Sequence, residues 1–279
     1  VNVASFKRAT INSIIAGSSG LTKTGNGTLQ LGNSGNTFSG DVVINGGSLV
    51  ITDQGQLGTG TSVVSVNGLA NTGNPGFSGG SLVVQGGSSG ITIDRDISVT
   101  GRGPGALNNG AALISIGSNV FNGDLVVGST GSEGRMLATN GVTTINGNLQ
   151  LGTGGAEIFF GNGNIVISGV VTGYDAASTD RFIKTGTTIA STLWLQNSSN
   201  NFAQPLRIDS GTVRVSDNGA LGSSISPRAV DFNGGWLEVH SDAPDFSTRN
   251  VYGRGTNDYI MVDRALGGSG LNQTAQFGN

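Results

Sequence analysis

The chain contains no cysteine, so neither a disulfide framework nor a thiolate metal site can hold it together. Charged residues make up only 11% of its 279 residues, and the formal net charge is -3. There is therefore no positive field that would hold nucleic acid or an anionic membrane. No run approaches the roughly 18 apolar residues that a membrane-spanning helix needs, so we expect no membrane insertion by this segment.

Glycine is abundant instead, with 50 residues, and glycine-rich chains are often disordered. Here, however, 35% of the residues are hydrophobic, and Val, Ile and Leu recur in short runs bounded by Gly, Asn and Asp. Helical periodicity is nearly absent, and only the stretch near Ala4–Ile15 is ambiguous. This pattern is typical of a folded chain that is rich in short strands.

The sequence also repeats itself, which is the signature of a solenoid. Two units match, at about 21–58 and 181–222, and their most similar stretches are Thr28–Phe38 and Thr192–Phe202. The second unit is a degraded copy with a short insertion near Thr187–Ser191.

Each unit contains three pairs of apolar residues separated by one variable residue. The pairs are Leu29/Leu31, Val42/Ile44 and Leu49/Ile51 in the first unit, and Leu193/Leu195, Leu206/Ile208 and Val213/Val215 in the second. The residue between them changes freely, from Gln30 to Trp194, from Val43 to Arg207 and from Val50 to Arg214. Such alternation predicts short strands whose paired residues face a core and whose middle residue faces water.

Three such strands, separated by turns, predict one coil of a three-faced solenoid with roughly 20–25 residues per coil. We therefore predict an all-β, right-handed parallel β-helix that forms a single segment over 1–279, with less regular coils at 225–279. Turns such as Asn33–Asn36 and Asn45–Gly47 supply residues that tolerate positive φ. Asparagines at equivalent corners of successive coils are expected to form hydrogen-bonded ladders.

The stretch Leu21–Leu31, which begins L-T-K-T-G, resembles the passenger-associated transport repeat of type V autotransporters, and so do Asn36–Gly40 and Ile44–Leu49. The second copy departs from that pattern by its insertion and by losing the glycine after Phe202. The resemblance implies a β-helical passenger, extracellular on the cell surface of a Gram-negative bacterium. Since the chain starts at Val1 with no signal-peptide pattern, we expect an internal segment of a longer passenger.

Two G-x-S-x-G strings, Gly76–Gly80 and Gly86–Gly90, raise the question of a serine nucleophile at Ser78 or Ser88. A nucleophile elbow needs a following helix and a histidine base. Neither string is followed by a helical pattern, and His240 is the only histidine. We therefore predict plain corner turns at both strings.

The late part of the chain carries the densest set of charged and aromatic residues. It comprises Asp231, Glu238, Asp242, Asp245, Asp258 and Asp263 with Arg249, Arg254, Arg264, Trp236 and Tyr259. If these side chains converged on a groove, they would suit a polysaccharide-active enzyme, with Trp236 as a stacking platform for sugar. The plainer interpretation is irregular coils with polar outward faces. His240 and Glu238 are expected to face outward as a solvated pair, too few for a firm metal site.

Trp194 occupies an outward position and, with Trp236 and Tyr259, is the predicted contact for a partner. We predict a structural and adhesive scaffold that projects from the cell or assembles into fibres, as in a biofilm, with no catalytic residue, cofactor or metal. The expected partners are another copy, end to end or side by side, a surface glycan or a matrix protein. The alternatives are a polysaccharide lyase or hydrolase, and a toxin passenger segment, which would need a hydrophobic membrane-inserting stretch.

Overall fold

Short parallel strands stack into three sheets, and the predicted all-β parallel β-helix is confirmed. The computed structural model describes residues 1–69, 79–104, 110–129, 132–152, 156–173, 181–186, 190–223, 229–242, 245–254, 257–263, 268 and 276–278. The strands in this part of the chain are β1 Arg8–Ile11, β2 Leu21–Lys23, β3 Thr28–Leu31, β4 Val42–Ile44, β5 Gly47–Ile51, β6 Val64–Asn67, β7 Gly80–Gly87, β8 Thr92–Ile93, β9 Ile97–Thr100, β10 Leu113–Gly117, β11 Val120–Phe121, β12 Leu125–Val127, β13 Gly134–Thr139, β14 Val142–Ile145, β15 Leu149–Leu151, β16 Ala156–Phe160, β17 Asn164–Ile167, β18 Val171–Thr172, β19 Arg181–Lys184, β20 Thr192–Leu195, β21 Leu206–Ile208, β22 Thr212–Val215, β23 Val230–Phe232, β24 Trp236–His240, β25 Asp245–Gly253, β26 Tyr259–Asp263 and β27 Gln276–Gly278.

Each sheet is a stack in which neighbouring strands belong to successive coils. The twelve-stranded sheet has the order β1-β3-β5-β7-β10-β13-β16-β19-β21-β23-β25-β27. The eight-stranded sheet has the order β26-β24-β22-β20-β17-β14-β11-β8, and the seven-stranded sheet β18-β15-β12-β9-β6-β4-β2. In the middle of the chain the backbone visits all three sheets in turn, so that the core is enclosed on three sides.

The core lies inside the coils and is filled by the apolar pairs of the repeats. All the predicted inward residues have an exposure of 0%: Leu29, Leu31, Val42, Ile44, Leu49, Ile51, Leu193, Leu195, Leu206, Ile208, Val213 and Val215. Burying a side chain of this size completely stabilises the fold by roughly 1.5–3 kcal/mol. The prediction of the inward face is therefore confirmed.

The composition of one coil differs from the prediction. Leu29 of β3 pairs directly with Leu49 of β5 in the twelve-stranded sheet, whereas β4 between them belongs to the seven-stranded sheet. The three strands of a repeat therefore span more than one coil, and the prediction that they form a single coil is wrong. The third side of this coil is a turn around Asn36 and contains no strand.

Val50 is a second correction. It was predicted to face water between Leu49 and Ile51, but its exposure is only 5%. By register it lies between Gln30 on one neighbouring strand and Val83 on the other, so the adjacent side chains of its column cover it. The other variable middle residues, such as Gln30 and Val43, are half-buried.

The two repeats build the same turn with the same hydrogen bonds. The Asn36 Oδ1 accepts from the Ile15 N–H (2.9 Å) and its Nδ2 donates to the Gln56 carbonyl (3.0 Å). Asn200 does the same with the Val171 N–H (2.7 Å) and the Ala220 carbonyl (3.0 Å). The side-chain amide thus joins three successive levels of the solenoid, which leaves neither of its polar ends unsatisfied where it is buried.

The equivalent units nevertheless lie on different sheets. Residues 28–31 form a strand of the twelve-stranded sheet, whereas their counterparts 192–195 form a strand of the eight-stranded sheet. In both units a capped 3₁₀ turn follows the last strand, Gln54–Leu57 after Asp53 and Asn218–Leu221 after Asp217. The repeat therefore fixes a local path of the chain and leaves open which face of the solenoid it occupies.

Asparagine ladders form at the corners, as predicted. The Asn67 Nδ2 donates to the Asn45 Oδ1 at 2.8 Å, 22 residues earlier, and the Asn146 Nδ2 donates to the Asn122 Oδ1 at 2.9 Å, 24 residues earlier. These separations fall within the predicted coil length. At the neighbouring corner Gly47 has a φ of 64°, and a Cβ there would lie 2.2 Å from the Gly27 carbonyl oxygen, so only glycine fits.

Two lysines point into the core, in columns otherwise filled by apolar residues. Lys23 (0% exposed) pairs with Ile44, and Lys184 (1% exposed) lies between Phe159 and Ile208. Backbone carbonyls satisfy the Lys23 Nζ, which donates to Thr24 and Gly25 at 2.8 Å and to Gly46 at 2.9 Å.

The Lys184 Nζ donates to the Thr185 carbonyl at 2.9 Å and to the Ser191 Oγ at 3.0 Å. Burial lowers the pKa of both lysines, and that of Lys184 falls to about 8. The repeat motif L-T-K-T-G contains Lys23, but the burial of these two lysines was not predicted.

Replacing Leu31 by Asp should prevent folding, because an unpaired carboxylate would be buried at a position with 0% exposure. The matched control is Gln30→Asp, which puts the same residue at the adjacent outward position and should change the free energy of unfolding by less than about 1 kcal/mol. Far-ultraviolet circular dichroism and urea denaturation measure both effects. Equal losses in the two variants would contradict the inward and outward assignment.

The free energy of unfolding should rise with pH above about 8 because of Lys184. Its folded pKa is about 8 and its usual pKa 10.5, so between these values the unfolded chain binds more protons than the folded chain. Raising the pH therefore relieves the cost of the buried charge, by about 2–3 kcal/mol at pH ~10. Lys23 contributes in the same direction.

Urea denaturation across this pH range measures the slope. Lys184→Met should remove most of it, since the apolar side chain has no charge to desolvate. Lys7→Met, at an exposed position, is the control and should keep it. A slope that persists in Lys184→Met would show that Lys184 is not its source.

Candidate functional site

The outward face of the eight-stranded sheet brings together the three aromatic residues that were predicted to contact a partner. Trp194 lies on β20, Trp236 on β24 and Tyr259 on β26. On β20 and β24 the intervening residues, such as Leu193 and Leu237, are fully buried, so the aromatic side chains point away from the core. We call this surface the aromatic face; it consists of Trp194, Arg214, Trp236, Glu238, His240 and Tyr259.

Trp236 and Tyr259 form a stacked pair. They are partners in the register of β24 and β26, and strands in a sheet lie about 4.8 Å apart. The ring centroids are 4.6 Å apart and the ring planes meet at 29°. One face of each ring is therefore covered by the other, while Tyr259 keeps 46% of its surface exposed.

Trp194 lies in a second column on the same face. Its register partner on β22 is Arg214, whose partner on β24 is Glu238. The Arg214 guanidinium carbon lies 5.6 Å from the centroid of the Trp194 ring, a cation–π geometry. The Arg214 Nε donates to the Glu238 Oε2 at 2.8 Å, which fixes the guanidinium between the indole and the carboxylate.

His240 lies beside this column, two residues after Glu238 on β24, and its own register partner is Asp263. The His240 Nε2 lies 3.5 Å from the Glu238 Oε2, and both side chains are outward, as predicted. They are half-buried, with side-chain exposures of 21% and 14%, and Glu238 is shared with Arg214, so the expected solvated pair is in fact part of a packed network. Among the described residues no group of three His, Asp or Glu side chains is placed to hold a metal ion.

The sequence identified the aromatic residues of this face but missed Arg214. That residue appeared only as the counterpart of Val50 in the repeat. Its contact with Trp194 depends on the register between β20 and β22, and hence on the length of the coil between them. The contact could have been predicted only from outward residues that recur at a spacing of one coil. Because the coils differ in length, that spacing is hard to recognise in the sequence.

The described residues of the late charged cluster that lie on strands are divided between two sheets. Asp231 lies in the twelve-stranded sheet, is 1% exposed, and accepts two hydrogen bonds of 2.7 Å from Arg254. Glu238 lies in the eight-stranded sheet, and Asp258 accepts from the Gly234 N–H at 2.7 Å. Arg249 donates to the side chain and the carbonyl of Asn218, at the second 3₁₀ turn.

These hydrogen bonds therefore join successive coils of the solenoid. Arg264 lies outside the described residues. Of the remaining acids, Asp245 accepts from the Ser247 N–H at 3.0 Å and is exposed.

The second G-x-S-x-G string is a corner turn, as predicted. Strand β7 ends at Gly87, Ser88 is exposed in the turn, and β8 begins at Thr92. Ser78 of the first string lies outside the described residues. In the part of the chain that the structure describes, no helix has the length and apolarity to cross a membrane.

Comparison with known proteins gives two matches. Residues 21–51 match the passenger-associated-transport-repeat family. The chain is also 29% identical over 287 aligned residues to the adhesin BmaC autotransporter of Brucella suis biovar 1 (strain 1330), an alignment that covers 97% of this chain.

The chain spans only 8% of the length of that relative. No solved structure matches the chain. Together with the parallel solenoid, the two sequence matches confirm the predicted resemblance to autotransporter passenger domains that carry passenger-associated transport repeats.

Proposed function

We propose that this chain is a stretch of extracellular β-helical scaffold on the surface of a Gram-negative bacterium, and that its aromatic face is adhesive. The passenger repeat at 21–51 supports surface exposure. The relative from Brucella suis is named an adhesin, which supports an adhesive role. The single observation that carries the proposal is the gathering of Trp194, Trp236 and Tyr259 with Arg214 on one outward face.

The composition of the aromatic face suits a protein partner. Trp, Tyr and Arg are the residues that most often dominate the energy of protein interfaces, because each combines a large apolar area with a polar group. The stacking of Trp236 on Tyr259 and the Arg214–Glu238 ion pair hold these side chains in place before a partner arrives. A rigid surface loses less side-chain entropy on binding.

A matrix protein is the partner that we favour for this face, and a second copy of the chain is the alternative. Lateral association of copies through the same aromatic residues would lead to fibres and to the cell–cell contacts of a biofilm. We do not propose catalysis at this face, because the Glu238 carboxylate is already paired with Arg214.

Replacing Tyr259 by Ala should weaken binding to a matrix protein by at least about tenfold, as expected for the loss of an interface hot spot of ~1.4 kcal/mol or more. The matched control is Tyr252→Ala, which removes a tyrosine of similar exposure (41% against 46%) from the twelve-stranded sheet. Surface plasmon resonance over a panel of purified extracellular-matrix proteins measures the affinities.

Analytical ultracentrifugation of the same variants separates the two partners. If the second copy is the partner, wild-type chain should associate with rising concentration and Tyr259→Ala should not. Equal behaviour of Tyr259→Ala and Tyr252→Ala in both measurements would rule out the aromatic face as the adhesive surface.

A further inference from the structure

A cleft lies on the outer face of the seven-stranded sheet, apart from the aromatic face. Its volume is about 530 Å³, within the range of roughly 300–1,000 Å³ that is usual for small-ligand sites. It crosses the coils that contain β9, β12, β15 and β18. The side chains that matter for its chemistry are Asp96, Asp124, Val126, Asn148, Gln150 and Thr172.

Two columns of side chains run along the cleft. Val126, Gln150 and Thr172 are register partners on β12, β15 and β18 and point outward between buried neighbours. Asp96, Asp124 and Asn148 each precede a strand of this sheet by one residue and form the second column. Because successive strands lie about 4.8 Å apart, the polar groups recur at a regular spacing along the cleft.

Hydrogen bonds to the backbone fix the second column. The Asp124 N–H donates to the Asp96 Oδ1 and the Asn148 N–H to the Asp124 Oδ1, both at 2.8 Å. The Val170 N–H donates to the Asn148 Oδ1 at 3.2 Å.

Each of these side chains uses one oxygen in this way. Its other terminal atom, the Oδ2 of the two aspartates or the Nδ2 of Asn148, makes no hydrogen bond to any described residue. All three residues are exposed, as is Gln150. The cleft therefore presents acceptors and donors whose positions are set before a ligand binds.

The charge of the cleft selects among ligands. Its lining contains two carboxylates and no Lys, Arg or His among the described residues, so anionic ligands are repelled. Carboxylates form strong hydrogen bonds with hydroxyl donors. Amides donate to hydroxyl and ring oxygens, and Val63, Val126 and Val170 offer apolar contact for C–H groups.

We propose that this cleft binds a neutral oligosaccharide. The carboxylates of Asp96 and Asp124 accept hydrogen bonds from sugar hydroxyls, and the amides of Asn148 and Gln150 donate to sugar oxygens. The inference deepens the proposed adhesive function and rests on it, but it uses a different sheet from the aromatic face.

The test is isothermal titration calorimetry of the full 279-residue chain with neutral β-linked glucose and galactose oligosaccharides, against uronic-acid and sulfated counterparts. We expect binding of a neutral probe, weaker binding of its anionic counterpart, and no change on adding EDTA. Asp124→Asn should lower the affinity for the neutral probe by about tenfold, because a charge-assisted hydrogen bond is lost. The fold should persist, because asparagine already fills the same column at Asn148 and accepts the same kind of backbone bond there.

The matched control is Asp94→Asn, which removes the same charge from an exposed aspartate whose carboxylate instead binds Gln54 and Asn122 in a neighbouring ladder. It should bind the neutral probe as wild type does. Unchanged affinity in Asp124→Asn, preference for the anionic probes, dependence on divalent cations, or no binding of any neutral probe would each overturn the proposal. Tyr259→Ala should leave sugar binding intact, and Asp124→Asn should leave matrix-protein binding intact, so the two proposals fail separately.

Discussion

The buried core of this solenoid depends on stacking in register of each coil with the coils above and below it. Leu29, for example, lies between Ala9 and Leu49 in one column of the twelve-stranded sheet. A coil of this kind has no other source of burial, because its own residues surround a space that only neighbouring coils can close. Most inward positions are therefore apolar and of suitable size, and a slip of one residue in the register would place polar residues in the core.

The same constraint explains how the polar groups inside the solenoid are accommodated. A lysine in an inward column would be costly unless its ammonium group reached partners, and Lys23 finds three carbonyls at the corner beside its strand. Asn36 and Asn200 satisfy backbone groups of the levels on either side. Lys23, Asn36 and Asn200 thus each join successive levels of the solenoid. The lowered pKa of Lys184 shows that the compensation is incomplete, since burial still favours its neutral form.

The period-two pattern was enough to predict the fold class and the inward residues, because the alternation is local and is complete within each strand. The assignment of strands to sheets was not predictable in the same way. Leu29 and Leu49 belong to one sheet because the turn around Asn36 takes the place of a strand on one side of the coil. The residues of Asn33–Asn36 predict a turn, but they do not predict that this turn forms a whole side of the coil. The burial of Val50 was not predicted for a related reason. The residues that cover it, Gln30 and Val83, lie on other coils, and the local pattern does not show which residues of other coils are its neighbours. In the aromatic face, the residue types at Trp194 and Trp236 were visible, whereas the contact of Arg214 with Trp194 required the register.

Register also decides where binding can reside on such a scaffold. An inward position must match its column, but an outward position is free, as the change from Gln30 to Trp194 at equivalent points of the two repeats shows. Outward residues that recur at coil spacing become neighbours along the surface, whatever their separation in the chain. A few substitutions in one column can therefore turn a polar surface into an aromatic one, or line a cleft with carboxylates, while the core that supports it stays the same. Any binding surface on such a scaffold is therefore built from its outward columns, while the inward columns maintain the fold.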